Sequence, residues 1–330
     1  MDPIEALDEI AYLLERERAS KFKAKAFRTA SAAVAALDAE ARRDPERLRR
    51  TRGIGSSTFA VIEEALAGEV PRYLRDLRER SGVERRSQLR GMLRGDLHSH
   101  SDWSDGTTPI ETMAEAARGL GHEYLALTDH SPRLKVARGL SPERLRQQLE
   151  VVAGLQNDGF TLLSGIEVDI LEDGGLDQEP GLLDELDVVV ASVHSQLRME
   201  AAAMTRRLVA AVSNPRVTVL GHVTGRLVSG SRGTRPPSTF DARAVFEACA
   251  GNGVAVEINS RPEREDPPDE LILLALELGC LFAIDSDAHA PGQLSLIDHG
   301  AERAERLGVP ADRVVTTWPL GRLRAWAWGA

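Results

Sequence analysis

Six of the eight histidines in this 330-residue chain fall in six short segments, almost all of which close a run of apolar, largely β-branched residues. The segments are Asp96-Leu97-His98-Ser99-His100, Thr128-Asp129-His130, Gly165-Ile166-Glu167, Ser192-Val193-His194, Gly221-His222 and Asp285-Ser286-Asp287-Ala288-His289. Apolar runs that repeatedly end in an imidazole or a carboxylate describe strands whose C-terminal ends deliver polar side chains to one rim. A parallel α/β barrel builds its site in that way.

The surrounding pattern agrees. β-type runs at 124–128, 161–170, 188–193, 217–221, 254–258 and 281–284 alternate with helical stretches such as 109–120, 142–156, 242–250 and 269–278. This alternation over residues 96–330 predicts an α/β domain, most simply a barrel. His98 and His100 are two apart, as are Asp287 and His289, and on a strand such pairs share a face. Imidazole with carboxylate suits Zn, Mn or Fe and needs no cysteine. Taken singly, each segment has a plainer explanation; a lone His222 reads as a hydrogen-bonded structural histidine. Only the ordered set points to metal. His122, after Gly121, and His299, inside a late helical segment, are read as structural. Asp96 and Asp129, beside candidate ligands, are candidate anchors that orient imidazoles.

Residues 4–80 read as helices. Ile4, Leu7, Ile10, Ala11, Leu13 and Leu14 recur at helical spacing, an alanine-rich helix covers about 23–37, and Asp44-Pro45 starts a third. Gly53-Ile54-Gly55 then forms a tight turn before a helix at 59–66. Backbone N–H groups there, with the positive end of that helix, are suited to a phosphate oxygen, although the same turn also serves as an ordinary connector. Residues 81–94 read as a linker.

No apolar run approaches the roughly 20 residues that span a bilayer, and Met1-Asp2-Pro3-Ile4-Glu5 has no signal core. Cys249 and Cys280 have neither metal nor framework spacing, so the reducing cytoplasm is the expected location and no membrane partner is expected. The net charge of −10 is uneven: residues 1–94 hold 20 Lys/Arg against 16 Asp/Glu, and the remainder 21 against 35. A mildly basic appendage on an acidic body permits a polyanion partner, or is simply a solvated helical surface.

The motifs Asp96-Leu97-His98-Ser99-His100, Ser104-Asp105-Gly106, Thr128-Asp129-His130-Ser131, Glu167, Ser192-Val193-His194, Gly221-His222 and Ser286-Asp287-Ala288-His289 resemble the PHP (polymerase and histidinol phosphatase) domain over residues 95–330. The resemblance implies a distorted (β/α)7 barrel holding three divalent metal ions. It implies His98, His100, Glu167 and Asp287 around one ion, with Glu167 bridging to a second held by His194 and His222. Asp105, His130 and His289 would hold the third. Glu167, Asp287 and His289 are the candidate catalytic residues. A water bound to such ions supplies hydroxide near neutral pH, which makes phosphate-ester hydrolysis the expected reaction. Arg226, Arg261, Lys135 and Arg138, in segments after ligand or strand ends, are candidate grips for phosphate, as is Arg232; each also reads as a surface ion-pair residue.

Local sequence at 134–141, 221–227 and 257–260 is similar to the PHP domain of bacterial family X DNA polymerases. Phe22-Lys23-Ala24-Lys25-Ala26-Phe27-Arg28 and Gly53-Ile54-Gly55 resemble their N-terminal helix-hairpin-helix domain, which binds gapped DNA and its 5′-phosphate. Lys21, Lys23, Lys25, Gly53 and Gly55 are therefore candidate DNA contacts. Two departures stand out. No polymerase palm fits between the two regions, and Val61 and Ser57 occupy positions where relatives carry lysines, so lyase chemistry is not expected. The expected organisation is an all-α helix-hairpin-helix domain at 1–80, a linker at 81–94 and a phosphoesterase domain at 95–330. The expected function is metal-dependent hydrolysis at DNA 3′ ends. A histidinol-phosphatase-type enzyme acting on a small phosphorylated substrate is the alternative, and a non-catalytic DNA-end-binding module is a second.

Overall fold

The computed structural model describes residues 1–17, 19–38, 40–80, 87–156, 159–229 and 233–328; Arg232, positions 81–86 of the expected linker and the side chain of Lys21 lie outside the described residues. The chain divides into two compact units, Met1–Arg85 with Ala290–Gln293, and Arg86–His289 with Leu294–Ala330.

The first unit is helical: α1 (Pro3–Arg16), α2 (Lys21–Ala35), α3 (Pro45–Arg50), α4 (Ser56–Leu66) and α5 (Arg72–Arg80). Asp2 caps α1 by accepting from the N–H groups of Ile4 and Glu5, and Asp44 caps α3 from Glu46 and Arg47, each ahead of a proline at the first helical position. Leu7, Ile10 and Leu14 of α1 meet Phe27, Ala30 and Val34 of α2, Ile62 of α4 and Leu77 of α5 in one core. In the turn before α4, Gly53 has φ +96° and an added Cβ would lie 3.0 Å from Thr29 Cγ2, so both conformation and space require glycine.

The second unit begins with α6 (Gln88–Met92) and then alternates: β1 (Gly95–Asp96), α7 (Ile110–Gly119), β2 (Tyr124–Leu127), α8 (Pro142–Gly154), β3 (Thr161–Asp169), α9 (Pro180–Leu183), β4 (Val188–Ser192), α10 (Ala201–Val212), β5 (Val219–Leu220), α11 (Ala242–Asn252), β6 (Ala255–Asn259), α12 (Asp269–Glu277) and β7 (Leu281–Asp285). Helices α13 (Ile297–Arg306) and α14 (Leu320–Ala327) follow. The seven strands are parallel and pair in sequence order, and a parallel bridge between Ser99 and Ala288 brings the first and last segments together. The result is a nearly closed seven-stranded barrel. Strands β2, β4 and β6 are buried on both faces, as the near-continuous apolar sequence of β2 and β4 requires, while β6 also buries two polar residues, Glu257 and Asn259. Gly165, inside β3, has no room for a side chain: a Cβ would sit 2.9 Å from Val188 O and 3.0 Å from Leu127 O.

One expectation needs correction. His98 and His100 were expected on a strand, but β1 ends at Asp96. Beyond it, side chains replace the ladder. Asp285 Oδ1 accepts from Leu97 N at 2.9 Å, Asp96 Oδ1 from His98 N at 3.1 Å, and Thr128 Oγ1 from Ser99 N at 3.0 Å. Asp287 also leaves the strand geometry, with a left-handed φ of 51°. Both pairs still converge, through these side-chain bonds rather than through pleat alternation.

His122 is buried with both ring nitrogens lacking a hydrogen-bond partner. Burial, aided by the Arg90 charge, holds its pKa down to about 3, from 6.5 when free. The unfolded chain therefore takes up a proton below pH 6.5 that the folded chain refuses, and stability falls as pH drops from 6.5 toward 3. Across that window the His122→Leu variant should lose stability less steeply than the parent by about 1.4 kcal/mol per pH unit. Urea unfolding at several pH values measures this, and parallel curves would refute it.

Candidate metal centre

All nine residues expected as ligands come together at the C-terminal ends of the strands. His98 and His100 follow β1, Asp105 lies in the next loop, and His130 follows β2. Glu167 is in β3, His194 and His222 follow β4 and β5, and Asp287 and His289 follow β7.

Glu167, 1% exposed, is the centre of the group. Its Oε1 lies 2.8 Å from His222 Nε2 and 3.3 Å from His194 Nε2. Its Oε2 lies 2.8 Å from His130 Nδ1, 3.4 Å from His98 Nε2 and 3.6 Å from His100 Nε2. Asp105 Oδ1 lies 3.4 Å from His130 Nε2 and 3.3 Å from His289 Nε2. Asp287 Oδ1 is 3.6 Å from His100 Nε2. The imidazoles crowd one another, with ring centroids 4.2 Å apart for His100 and His289 and 4.5 Å for His100 and His130.

Three groupings place candidate ligand atoms within 4.8 Å of one another: His100, Asp105, His130 and His289; His98, His100 and Asp287; and His130, Glu167 and His194. They overlap the expected sets without matching them. His100 joins the Asp105 grouping, and His130 stands in the Glu167–His194 grouping, from which His222 is absent.

Electrostatics reflect this crowding. Burial alone would raise the Glu167 carboxyl, but the imidazoles of His194, His98 and His130 outweigh it and hold it well below the usual carboxylate range. Burial would lower His130, yet Glu167 and Asp105 lift it to about 10. His100 goes the other way, down to about 3, through burial and the neighbouring His289 and His130.

The donor set fits divalent cations. Nε2 of His98, both ring nitrogens of His100, Asp105 Oδ1, His130 Nδ1, His194 Nε2 and His222 Nδ1 are buried without a hydrogen-bond partner. So many unsatisfied atoms in and around one small volume would be costly in a dry pocket, and bound cations would satisfy those that face it. Nitrogen and carboxylate ligands suit Zn, Mn and Fe alike.

The carboxylates that touch imidazoles from outside this group are not the two expected. Asp96 accepts from the backbone of His98 and Ser286, and burial raises its pKa to about 6. Asp129 gathers Ser101, Ser104 and Gln148, organising the loop that leads to Asp105. Imidazoles are instead held by Glu257, with Oε1 2.5 Å from His98 Nδ1, and by Asp169, bonded to His194 Nδ1. Sequence offered a signal for both: Glu257 and Asn259 interrupt an apolar strand, and Asp169 stands two residues after Glu167 on the same strand.

The expected phosphate grips are dispersed. Arg226 spends its guanidinium on the carbonyls of Arg264 and Glu265. Arg261 Nη1 reaches the carbonyl of Asp287 at 2.7 Å and His289 Nδ1 at 3.2 Å, beside the centre. Lys135 and Arg138 are exposed on the segment after His130, where Arg138 reaches Asp102 O at 3.3 Å. Arg264, not foreseen, is buried with Nε 3.0 Å from Asp287 Oδ2. In the helical unit Lys23, Lys25, Gly53 and Gly55 are exposed, while Val61 is buried. The N–H of Gly55 is already taken by Thr58 Oγ1 at 2.9 Å.

The profile of the PHP domain matches residues 96–261, half of the chain. The chain belongs to the PHP family. A helix-hairpin-helix domain profile matches residues 1–70. Over 218 residues the chain is 39% identical to the DNA polymerase/3′-5′ exonuclease PolX of Bacillus subtilis; the match covers 66% of this chain but only 38% of that protein. A probable phosphatase of Thermoanaerobacter sp. strain X514 is 26% identical over 69% of this chain and 92% of its own length. Among solved structures, histidinol phosphate phosphatase from Lactococcus lactis, complexed with zinc, L-histidinol and phosphate, aligns with a TM-score of 0.46 at 19% identity, covering 65% of this chain and 94% of that one.

Replacing Glu167 with Gln removes the charge that faces five imidazoles of the PHP centre. The variant should lose at least about tenfold in affinity for divalent metal, no less than the loss typical of an outer-shell partner. Elemental analysis and calorimetric titration with Mn2+ measure it, and unchanged metal content would contradict the arrangement.

Proposed function

We propose that the barrel hydrolyses phosphate esters with divalent ions held by His98, His100, Asp105, His130, Glu167, His194, His222, Asp287 and His289. As a PHP-family hydrolase, the chain acts on phosphate ester bonds. The observation that carries the metal reading is the buried Glu167 carboxylate among five imidazoles, of which His98 Nε2, His100 Nε2, His130 Nδ1 and His194 Nε2 lack hydrogen-bond partners. Bound there, such ions polarise phosphoryl oxygens and lower the pKa of water. The chain's own groups do the rest. Glu257 and Asp169 fix two imidazoles, Asp129 holds the loop bearing Asp105, and Arg261, held by Glu263 and touching His289, is the proposed grip for a phosphate oxygen.

The proposed substrate is a DNA 3′ end. Identity to the PHP region of a polymerase and 3′-5′ exonuclease and the helix-hairpin-helix match at residues 1–70 support it. Exposed Lys23 and Lys25 supply the expected contacts to phosphate. The second reading, a phosphatase of small molecules, is favoured by the 92% of a probable phosphatase that the match covers. Among the described residues no helix is long and apolar enough to cross a membrane.

Hydrolysis by Mn2+-loaded protein, compared across 3′-recessed, 3′-phosphate and abasic DNA and histidinol phosphate, separates the readings. Turnover of DNA that is lost in His98→Ala and on chelation is expected. Turnover of histidinol phosphate alone would replace the DNA reading. DNA affinity should fall steeply with salt, and reversing the charges of Lys23 and Lys25 should lower the slope of log K against log salt by roughly 2. A flat salt response in filter binding would remove DNA as the partner.

A further inference from the structure

Strand β6 alone supplies no candidate ligand, yet it points two buried polar side chains inward. Glu257 and Asn259 are two apart on the strand, so they share a face, and they are 0% and 1% exposed. Glu257 Oε1 lies 2.5 Å from His98 Nδ1. Its Oε2 accepts from the backbone N–H of His222 at 2.6 Å and from Asn259 Nδ2 at 3.1 Å. Asn259 Nδ2 also donates to Asp287 Oδ2 at 3.1 Å, where Arg264 Nε arrives at 3.0 Å. Asn259 Oδ1 accepts from Arg261 N at 3.1 Å. With carboxylates on one side and an N–H on the other, the amide has one consistent orientation.

We propose that Glu257 is a positioning residue for the metal centre. It accepts the Nδ1 proton of His98 and so leaves the Nε2 lone pair facing the pocket; through Asn259 it also steadies Asp287, so that Oδ1 faces inward. The role rests on the metal reading above. A carboxylate only accepts here, so the single proton of a neutral His98 sits on Nδ1. Nε2, which has no hydrogen-bond partner, is then the free donor atom. The same carboxylate fixes the chain at His222, so one side chain sets three candidate ligands from three strand ends. A glutamine at this place cannot accept everywhere that Glu257 does. If its oxygen faces His98, its amide meets the N–H donors of His222 and Asn259.

The test is Co2+ titration of the full chain by calorimetry and visible absorption, with 15N spectra of the histidine rings. Glu257→Gln should weaken Co2+ binding by about 10–100-fold, alter the absorption envelope and lose the Nδ1-protonated signature of His98, with a cooperative thermal transition retained. Parental affinity and spectra in this variant would overturn the role while leaving the metal reading intact. If the variant does not fold, Asn259→Ser decides. It keeps Glu257 on His98 but removes one of the two bonds to Asp287 Oδ2, leaving Arg264 there, and a severalfold loss with a changed envelope is expected; parental behaviour overturns the proposal. A parent protein that binds no Co2+ would overturn the metal reading and this role together.

Discussion

The barrel is organised around an electrostatic demand that it does not meet with protein groups alone. Glu167 is buried, and burial by itself would neutralise it. Imidazoles from four strand ends keep it ionised, and their remaining lone pairs face one another across the same small volume. Hydrogen bonds within the described residues leave six ring nitrogens of these histidines and one oxygen of Asp105 unsatisfied. A fold that gathers so many electron pairs at one point is built for cations, and the rest of the domain serves to hold those groups against their repulsion.

That support is layered. Around the imidazoles lie the carboxylates of Asp96, Asp285, Glu257 and Asp169, each tied to a backbone N–H, a ring nitrogen or both. Burial raises Asp285 well above the carboxylate range, reinforced by the charges of Asp96 and Glu257, so this outer set is itself short of positive charge. Buried Arg264 answers part of it from beside Asp287. Removing any one partner leaves an uncompensated group in a dry interior, which costs more than the lost bond alone.

Much of this was legible in the sequence. The β-branched runs at 161–170, 188–193 and 281–284 became strands within a residue or two, because long apolar segments in a parallel barrel are buried on both faces. Most of the nine candidate ligands stood out because they close such runs, whereas Asp105, in Ser104-Asp105-Gly106, came only from the resemblance to the PHP domain. The short first strand was not legible. Its ladder is replaced by Asp96, Asp285 and Thr128, and a substitution of side chain for backbone leaves no periodicity. The fate of Arg226 was equally hidden, since loop carbonyls that compete for a guanidinium depend on a fold of the 261–266 segment that no local pattern encodes. Glu257 could have been read as a polar residue in an apolar strand, but its partner His98 is 159 positions away.

Among the described residues, four that are not glycine, Arg138, Gln196, Glu265 and Asp287, hold left-handed backbone. They follow β2, β4, β6 and β7, so all four lie on the rim that carries the pocket. Each conformation costs roughly 1–3 kcal/mol and persists only because neighbours impose it. The wall of the barrel obeys local preference while its mouth defies it. Substitutions that loosen these turns would therefore disturb the pocket before they reach the strand ladder.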